Sequence, residues 1–237
     1  MRNTFAIAMK EGRAYFTTPT AYIVGAMFLV LTGIFFVNDI TSPFAEASVR
    51  GFINWASFFT LFLAPLITMR LLSEEQKMGT LELLLTSPVR DWEVVVGKYL
   101  AALSLYVVTI ALTLYYVVLL YWFGDPDAGP IYSAYLGVIL HGAAALAVGL
   151  LASSLTGNQI VSAVVGTAIL LTLSFIDEVS DLVSGPTQDV LLGLSLNDHL
   201  LDFRRGIIDT SNVAYFVSIA AVFIFLTIRA LETRRWR

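Results

Sequence analysis

The sequence predicts an all-α polytopic membrane protein, with six transmembrane helices, an N-terminal interfacial helix and a cytoplasmic amphipathic helix between the second and third spans. Three observations lead there. Hydrophobic residues make up 57% of the 237 positions and charged residues only 14%, with a mean hydropathy of +0.79. Soluble domains run at about 45–50% apolar and about 25% charged. The apolar residues are gathered into runs that can cross about 30 Å of hydrocarbon at about 1.5 Å per residue, the shortest with little to spare. The charges lie mostly between those runs and are sorted by sign. The chain has no cysteine, which excludes disulfides, thiolate chemistry and cysteine metal sites. Two histidines, His141 and His199, are too few for a histidine-built site.

Residues 1–18 lack the apolar core of a signal peptide, since Arg2, Lys10 and Arg13 are spread through them. Wound as a helix, they place Phe5, Ala8, Met9, Gly12, Tyr15 and Phe16 on one face. Asn3, Lys10, Arg13 and Thr17 fall on the other. This is the pattern of a helix lying in the headgroup plane, with Lys10 and Arg13 towards water and anionic lipid. Thr18-Pro19 ends it.

The spans follow at 21–37, 52–69, 99–123, 131–151, 160–176 and 213–231, the second carrying a kink-prone Pro65. The third is rich in tyrosine, several near its ends, where aromatic belts belong. A polar loop with Asp39, Pro43 and Glu46 separates the first two spans. Gly124-Asp125-Pro126-Asp127 makes a tight turn before the fourth. Ser153 to Gln159 is a short polar connection, and 177–212 is a longer acidic, extracytoplasmic segment with apolar pieces.

Orientation follows from the positive-inside rule. Six spans put both termini and the 73–98 loop on one side, with eleven of the fourteen basic residues. The far side holds only Arg50, Arg204 and Arg205. The two sides sum to +4 and −8, matching the net charge of −4. The termini and the 73–98 loop are therefore expected in the cytoplasm.

That loop reads SEEQKMGTLELLLTSPVRDWEVVVGK from Ser73 to Lys98. It divides into a short amphipathic helix, a break at Gly79-Thr80, a leucine-rich piece stopped by Ser87-Pro88, and a second interfacial helix from near Asp91. Its carboxylates and leucine edge suit a groove on a soluble partner. They suit a solvated connector equally well. No Walker A pattern, phosphate loop or metal-ligand spacing occurs, and no serine, histidine and aspartate are set out as nucleophile and base. The chain by itself does not read as an enzyme, a metalloprotein or a nucleic-acid binder.

The wording of Ser73 to Lys98 resembles the cytoplasmic loop of type-2 ABC transporter permeases. Within them it is most similar to the subgroup of the gliding-motility permease and the permease of nitrous-oxide-reductase copper maturation. The resemblance continues at SSLTGNQIVSAVVG (Ser153 to Gly166), at FRRGIID from Phe203, and at VAYFVSIAAVFIFLTIRALETRRW, which ends at Trp236. It implies a prokaryotic plasma (inner) membrane subunit of an exporter. A separate ATPase subunit would hold ATP and magnesium, leaving this chain without a cofactor. It further implies a second permease copy, as a homodimer or with a related permease. Glu74, Glu75, Gly79, Thr80, Leu81 and Glu82 match the coupling helix on which the ATPase docks. Thr156, Gly157, Asn158 and Gln159 match a second cytoplasmic contact. Phe5, Met9, Lys10, Arg13 and Phe16 belong to the matching interfacial helix, and 177–212 matches outer helices that dip back towards the bilayer. A different function stays open, in which the chain relays ATPase motion to an extracytoplasmic accessory protein without moving a large solute. An ion-driven transporter is disfavoured by the scarcity of charge inside the spans.

His141, near the middle of the fourth span, is a functional candidate as an intramembrane ionisable group. The plainer reading is a neutral histidine hydrogen-bonded to a neighbouring helix. Gly137, Gly142, Ala143, Ala144, Ala145 and Gly149 give that span a small-residue surface suited to tight packing. Arg204 and Arg205 are expected to pair with Asp202 or Asp209.

Overall fold

A computed structural model describes residues 2–41, 48–80, 89–180 and 185–235. Among them every regular element is a helix. They are α1 (Arg2–Thr17), α2 (Pro19–Ile40), α3 (Arg50–Thr68), α4 (Ser73–Met78), α5 (Asp91–Leu112) and α6 (Leu114–Phe123), then α7 (Ala128–Leu155), α8 (Gln159–Ser174), α9 (Ile176–Ser180), α10 (Pro186–Leu192), α11 (Leu196–Arg204) and α12 (Thr210–Arg235).

The bundle is built around α7, whose residues Ala144 to Val148 are fully buried. Small residues let its neighbours approach to the backbone. A side chain at Gly142 would fall inside the Tyr106 ring of α5, and one at Gly137 would lie 2.6 Å from Phe203 Cβ of α11. Gly149 receives Thr68 and Pro65 of α3. On the remaining side α12 buries Asn212, Phe216, Ala220, Thr227 and Leu231, positions that share one helical face. The first span, α2, is peripheral. It buries Phe28, Thr32 and Phe36 at i, i+4 and i+8, and exposes Tyr22, Ile23, Met27, Val30, Ile34 and Val37. Exposed apolar faces of this size belong in lipid or against another protein.

Five stretches are long and apolar enough to cross a membrane: Pro19–Ile40, Arg50–Met78, Asp91–Phe123, Ala128–Leu155 and Thr210–Thr233. They agree with five of the six predicted spans but run longer. Hydropathy trims the polar ends, whereas a helix continues through them once they are capped. Asp127 Oδ1, for example, accepts from Gly129 N at 3.2 Å at the start of α7. The sixth prediction, 160–176, corresponds to the 16-residue α8, which is shorter than the other five, so helix length alone does not give six crossings.

Two other expectations change. No separate interfacial helix starts near Asp91; that residue opens α5, and the helix continues as the third span. That span is itself broken at Thr113, between α5 and α6. Tyr135 donates to the Thr113 carbonyl at 3.0 Å, and the Thr113 hydroxyl turns back to Ile110 O at 2.6 Å. Side-chain insertion into the helical ladder explains the break without proline or glycine. Pro65, the expected kink, lies inside α3. The described part of the 177–212 segment folds into the rest of α9, α10, α11 and the start of α12. There Asp202 accepts from Asn212 at 2.9 Å and Asp209 caps Ser211 N at 2.9 Å. Neither forms an ion pair with Arg204 or Arg205 among the described residues.

Candidate functional site

The first helix of the 73–98 loop, α4, is held by three attachments. Its N-terminal junction rests on Ser153, near the end of α7. The Ser153 hydroxyl accepts from the backbone N–H of Leu72 and of Ser73, both at 3.1 Å, and donates to Met69 O at 3.2 Å. Where one helix ends and another begins, backbone groups lack intrahelical partners, and here one hydroxyl satisfies three of them. Gln76 extends the contact by donating to Ser154 O at 2.8 Å.

The third attachment is ionic. Lys98 Nζ lies 2.7 Å from Glu75 Oε1 and 3.1 Å from Glu11 Oε1. The lysine side chain is 2% exposed and each glutamate 19%. A buried ammonium is tolerated only when paired, and here two carboxylates from different helices supply the pairing. The node joins α1, α4 and α5. Gly97 makes room for it, because a Cβ there would meet Ile7 at 2.9 Å and Thr4 O at 3.0 Å. Beside it Glu93 Oε2 accepts from Asn3 Nδ2 at 3.3 Å and from Arg90 N at 3.1 Å, so one carboxylate caps α5 and holds α1. Further along α1, Tyr15 Oη donates to Ile67 O at 2.7 Å. Burial pushes the Tyr15 phenol well above its ordinary pKa, so it stays protonated and keeps donating.

The predicted loop residues divide. Glu75 turns inward onto Lys98. Glu74 is half-buried. Lys77, Met78, Gly79 and Thr80 are exposed, and Gly79 ends α4 in the left-handed region at a φ of 67°. Leu81 and Glu82 lie outside the described residues. The predicted second contact comes to the same place: a Cβ on Gly157 would lie 3.7 Å from Gln76 Cβ and from Lys77 N. In that turn Thr156 and Gln159 are half-buried and Asn158 is exposed, its Oδ1 accepting from Ile160 N at 3.0 Å. On α1, Phe5, Met9, Lys10, Arg13 and Phe16 are all exposed, while Thr4, Glu11 and Tyr15 turn towards the bundle. Tyr15 thus leaves the outward apolar face on which the helical wheel placed it.

His141 is not part of this arrangement. Twelve residues before Ser153 on α7, it lies about 18 Å away along the helix. It is 1% exposed, and its ring meets Phe216 edge-on with centroids 6.0 Å apart. Among the described residues neither ring nitrogen meets strict hydrogen-bond geometry, and the polar group the ring approaches is the Ser57 backbone of α3, the neighbouring helix.

Sequence reasoning missed Lys98, Ser153, Gln76 and Glu11 as a unit. Lys98 carried a signal, since a lysine embedded in VVVGKYLAAL needs a buried partner. Its two partners, 23 and 87 positions away, were not readable. Replacing Ser153 with alanine is expected to orphan Leu72 N and Ser73 N together, while Met69 O keeps the Ser73 hydroxyl as its donor. Hydrogen exchange at residues 72–78 should then speed up about tenfold or more, with exchange in the middle of α7 unchanged.

A cavity of about 370 Å³ opens between α1, α2, α3 and α5, immediately beside α4.

These features define a helical, multi-pass membrane protein with a braced short helix between two of its spans. Residues 39–176, more than half of the chain, match the ABC-2 family transporter proteins, and the chain belongs to that family. It is similar to the probable multidrug ABC transporter permease YbhR of Escherichia coli strain K12 and to its namesake in E. coli O157:H7. Each is 29% identical over 127 residues, covering 48% of this chain and 34% of the relative. The chain thus spans about a third of the length of these curated relatives.

Proposed function

We propose that this chain is the membrane-spanning subunit of an ABC exporter, worked by a separate ATPase that docks on α4 and the Thr156–Gln159 turn. The observation that carries the reading is the bracing of α4. Force applied to its exposed end cannot be absorbed locally, because Ser153, Gln76 and Glu75 tie it to α7 and α5, and through Lys98 to α1. Packed helices pass such a displacement on as rigid-body tilt or shear. ATP and magnesium sit on the partner, whose closure on ATP supplies the energy. Two permease copies face each other, so that motion of the two α4 helices changes the space between them. The basic excess on the α4 side supports an orientation with both termini in the cytoplasm of a prokaryotic cell.

The docking surface is the exposed end of α4 rather than Glu75, which is occupied inside. Lys77→Glu combined with Met78→Asp is expected to reduce ATPase recovered with the chain from native membranes by about tenfold or more, since interface energy concentrates in a few central residues. The amount of chain in the membrane should not change. An ATPase absent from the wild-type complex, or retained equally by the variant, counts against the reading.

A further inference from the structure

The cavity beside α4 has a polar end and an apolar end. At the cytoplasmic end stand Arg70, Glu74 and Glu11, with the hydroxyls of Thr18 and Thr20 at the elbow between α1 and α2. Along α3 the lining runs from Arg70 back to Leu63, about 10 Å towards the interior of the span. There the walls are Val24, Leu63, Leu66 and Leu105. Its volume of about 370 Å³ lies at the lower end of the range for small-ligand sites, about 300–1,000 Å³.

The charges are specific. Arg70 Nη1 donates to Thr20 Oγ1 at 3.1 Å, and among the described residues the guanidinium has no carboxylate within ion-pair distance. A guanidinium in a protein offers five donors and stays charged, so one that lines a cavity without an ion-pair partner calls for an anionic oxygen. Glu11 is already answered by Lys98. Glu74 has no ion pair or side-chain hydrogen bond among the described residues. The site therefore presents one unanswered cationic edge and one unanswered carboxylate above an apolar shaft.

We propose that this cavity binds a zwitterionic aminophospholipid of the cytoplasmic leaflet. Its phosphate sits on Arg70 and the Thr20 hydroxyl, whose proton is free to donate, its ammonium on Glu74, and its first methylenes on Val24, Leu63, Leu66 and Leu105. An anionic headgroup would leave Glu74 facing a second negative charge. A choline headgroup brings the positive charge but has no N–H to donate. The bound lipid fills the wedge between α1, α2, α3 and α5 and joins the interfacial helix to the bundle beside the Lys98–Glu11 pair. The proposal needs the membrane setting but no ATPase, so its test does not depend on the partner.

The full-length chain, purified in mild detergent, is offered phosphatidylethanolamine, phosphatidylcholine or phosphatidylglycerol of identical acyl chains, and bound lipid is counted by native mass spectrometry. Phosphatidylethanolamine should be held about tenfold more strongly than the others, the worth of a charge-assisted hydrogen bond. Glu74→Gln should erase that preference, and Arg70→Gln should lower retention of all three. Gly25→Leu, which fills the cavity from α2 where a Cβ meets only Thr109 at 3.9 Å, should also lower retention of all three and touches no charged group. This variant decides the matter if Arg70→Gln does not fold. Equal retention of the three lipids, strongest retention of phosphatidylglycerol, or retention unchanged in Gly25→Leu would each overturn the proposal.

Discussion

Replacing Lys98 with methionine is expected to cost about 3–5 kcal/mol and to lower thermal unfolding in detergent by roughly 10 °C. Methionine keeps most of the stem and removes the ammonium. What remains is a pair of carboxylates, Glu11 and Glu75, each with 19% side-chain exposure and no counter-charge. The destabilisation comes from that residue of uncompensated charge, so it should be reversible by removing the charge itself. Lys98→Met combined with Glu11→Gln and Glu75→Gln should recover most of the loss, because an all-neutral node no longer carries the desolvation cost. Added salt should do little for the single variant, since a node this shielded is weakly screened. A single variant within 1 kcal/mol of wild type, or a triple variant no better than the single, would show that the ion node does not hold these helices together.

Enlarging Gly142 is the second large effect. Any side chain there lands inside the Tyr106 ring, which is fully buried and donates to Val138 O at 3.0 Å while lying 3.1 Å from Thr60 Oγ1. The ring must leave its place, so α5 has to move off α7. Gly142→Leu is expected to cost about 3–5 kcal/mol, combining overpacking with loss of a buried aromatic contact. The readout is the yield of monodisperse protein on size exclusion, together with thermal unfolding. Pairing the milder Gly142→Ala with Tyr106→Leu should restore part of the stability, and strict additivity of the two changes would argue against the contact.

Much of this architecture could be read in advance, because the bilayer leaves the chain few choices. The apolar runs located five long helices, the small residues of the fourth span announced close packing, and Thr18-Pro19 marked the elbow between α1 and α2. The break at Thr113 was not readable. It depends on a tyrosine from another helix, and threonine inside an apolar run gives no warning of it. The candidate site was legible in position but not in wiring. Ser73 to Thr80 and Thr156 to Gln159 were singled out separately, and the fold places them side by side. Glu75, read as a residue for a partner, is spent on Lys98, because the helical wheel cannot say which carboxylate of an adjacent pair faces home.

The short α8 has a consequence for how the chain is made. Sixteen residues reach about 24 Å, less than the roughly 30 Å of a bilayer's hydrocarbon. One of its terminal carbonyls is met from elsewhere: Asn197 Nδ2, at the start of α11, donates to Ser174 O at 2.8 Å, and Leu196, Leu200 and Phe203 seat α11 in the bundle. A translocon releasing helices one at a time would deliver α8 with raw carbonyl ends in oil. If α8 enters the bilayer, it is expected to be retained until residues 196–204 have emerged, the pair inserting as a single unit. A ribosome stalled before α11 is synthesised should leave the nascent chain still in contact with the insertion machinery.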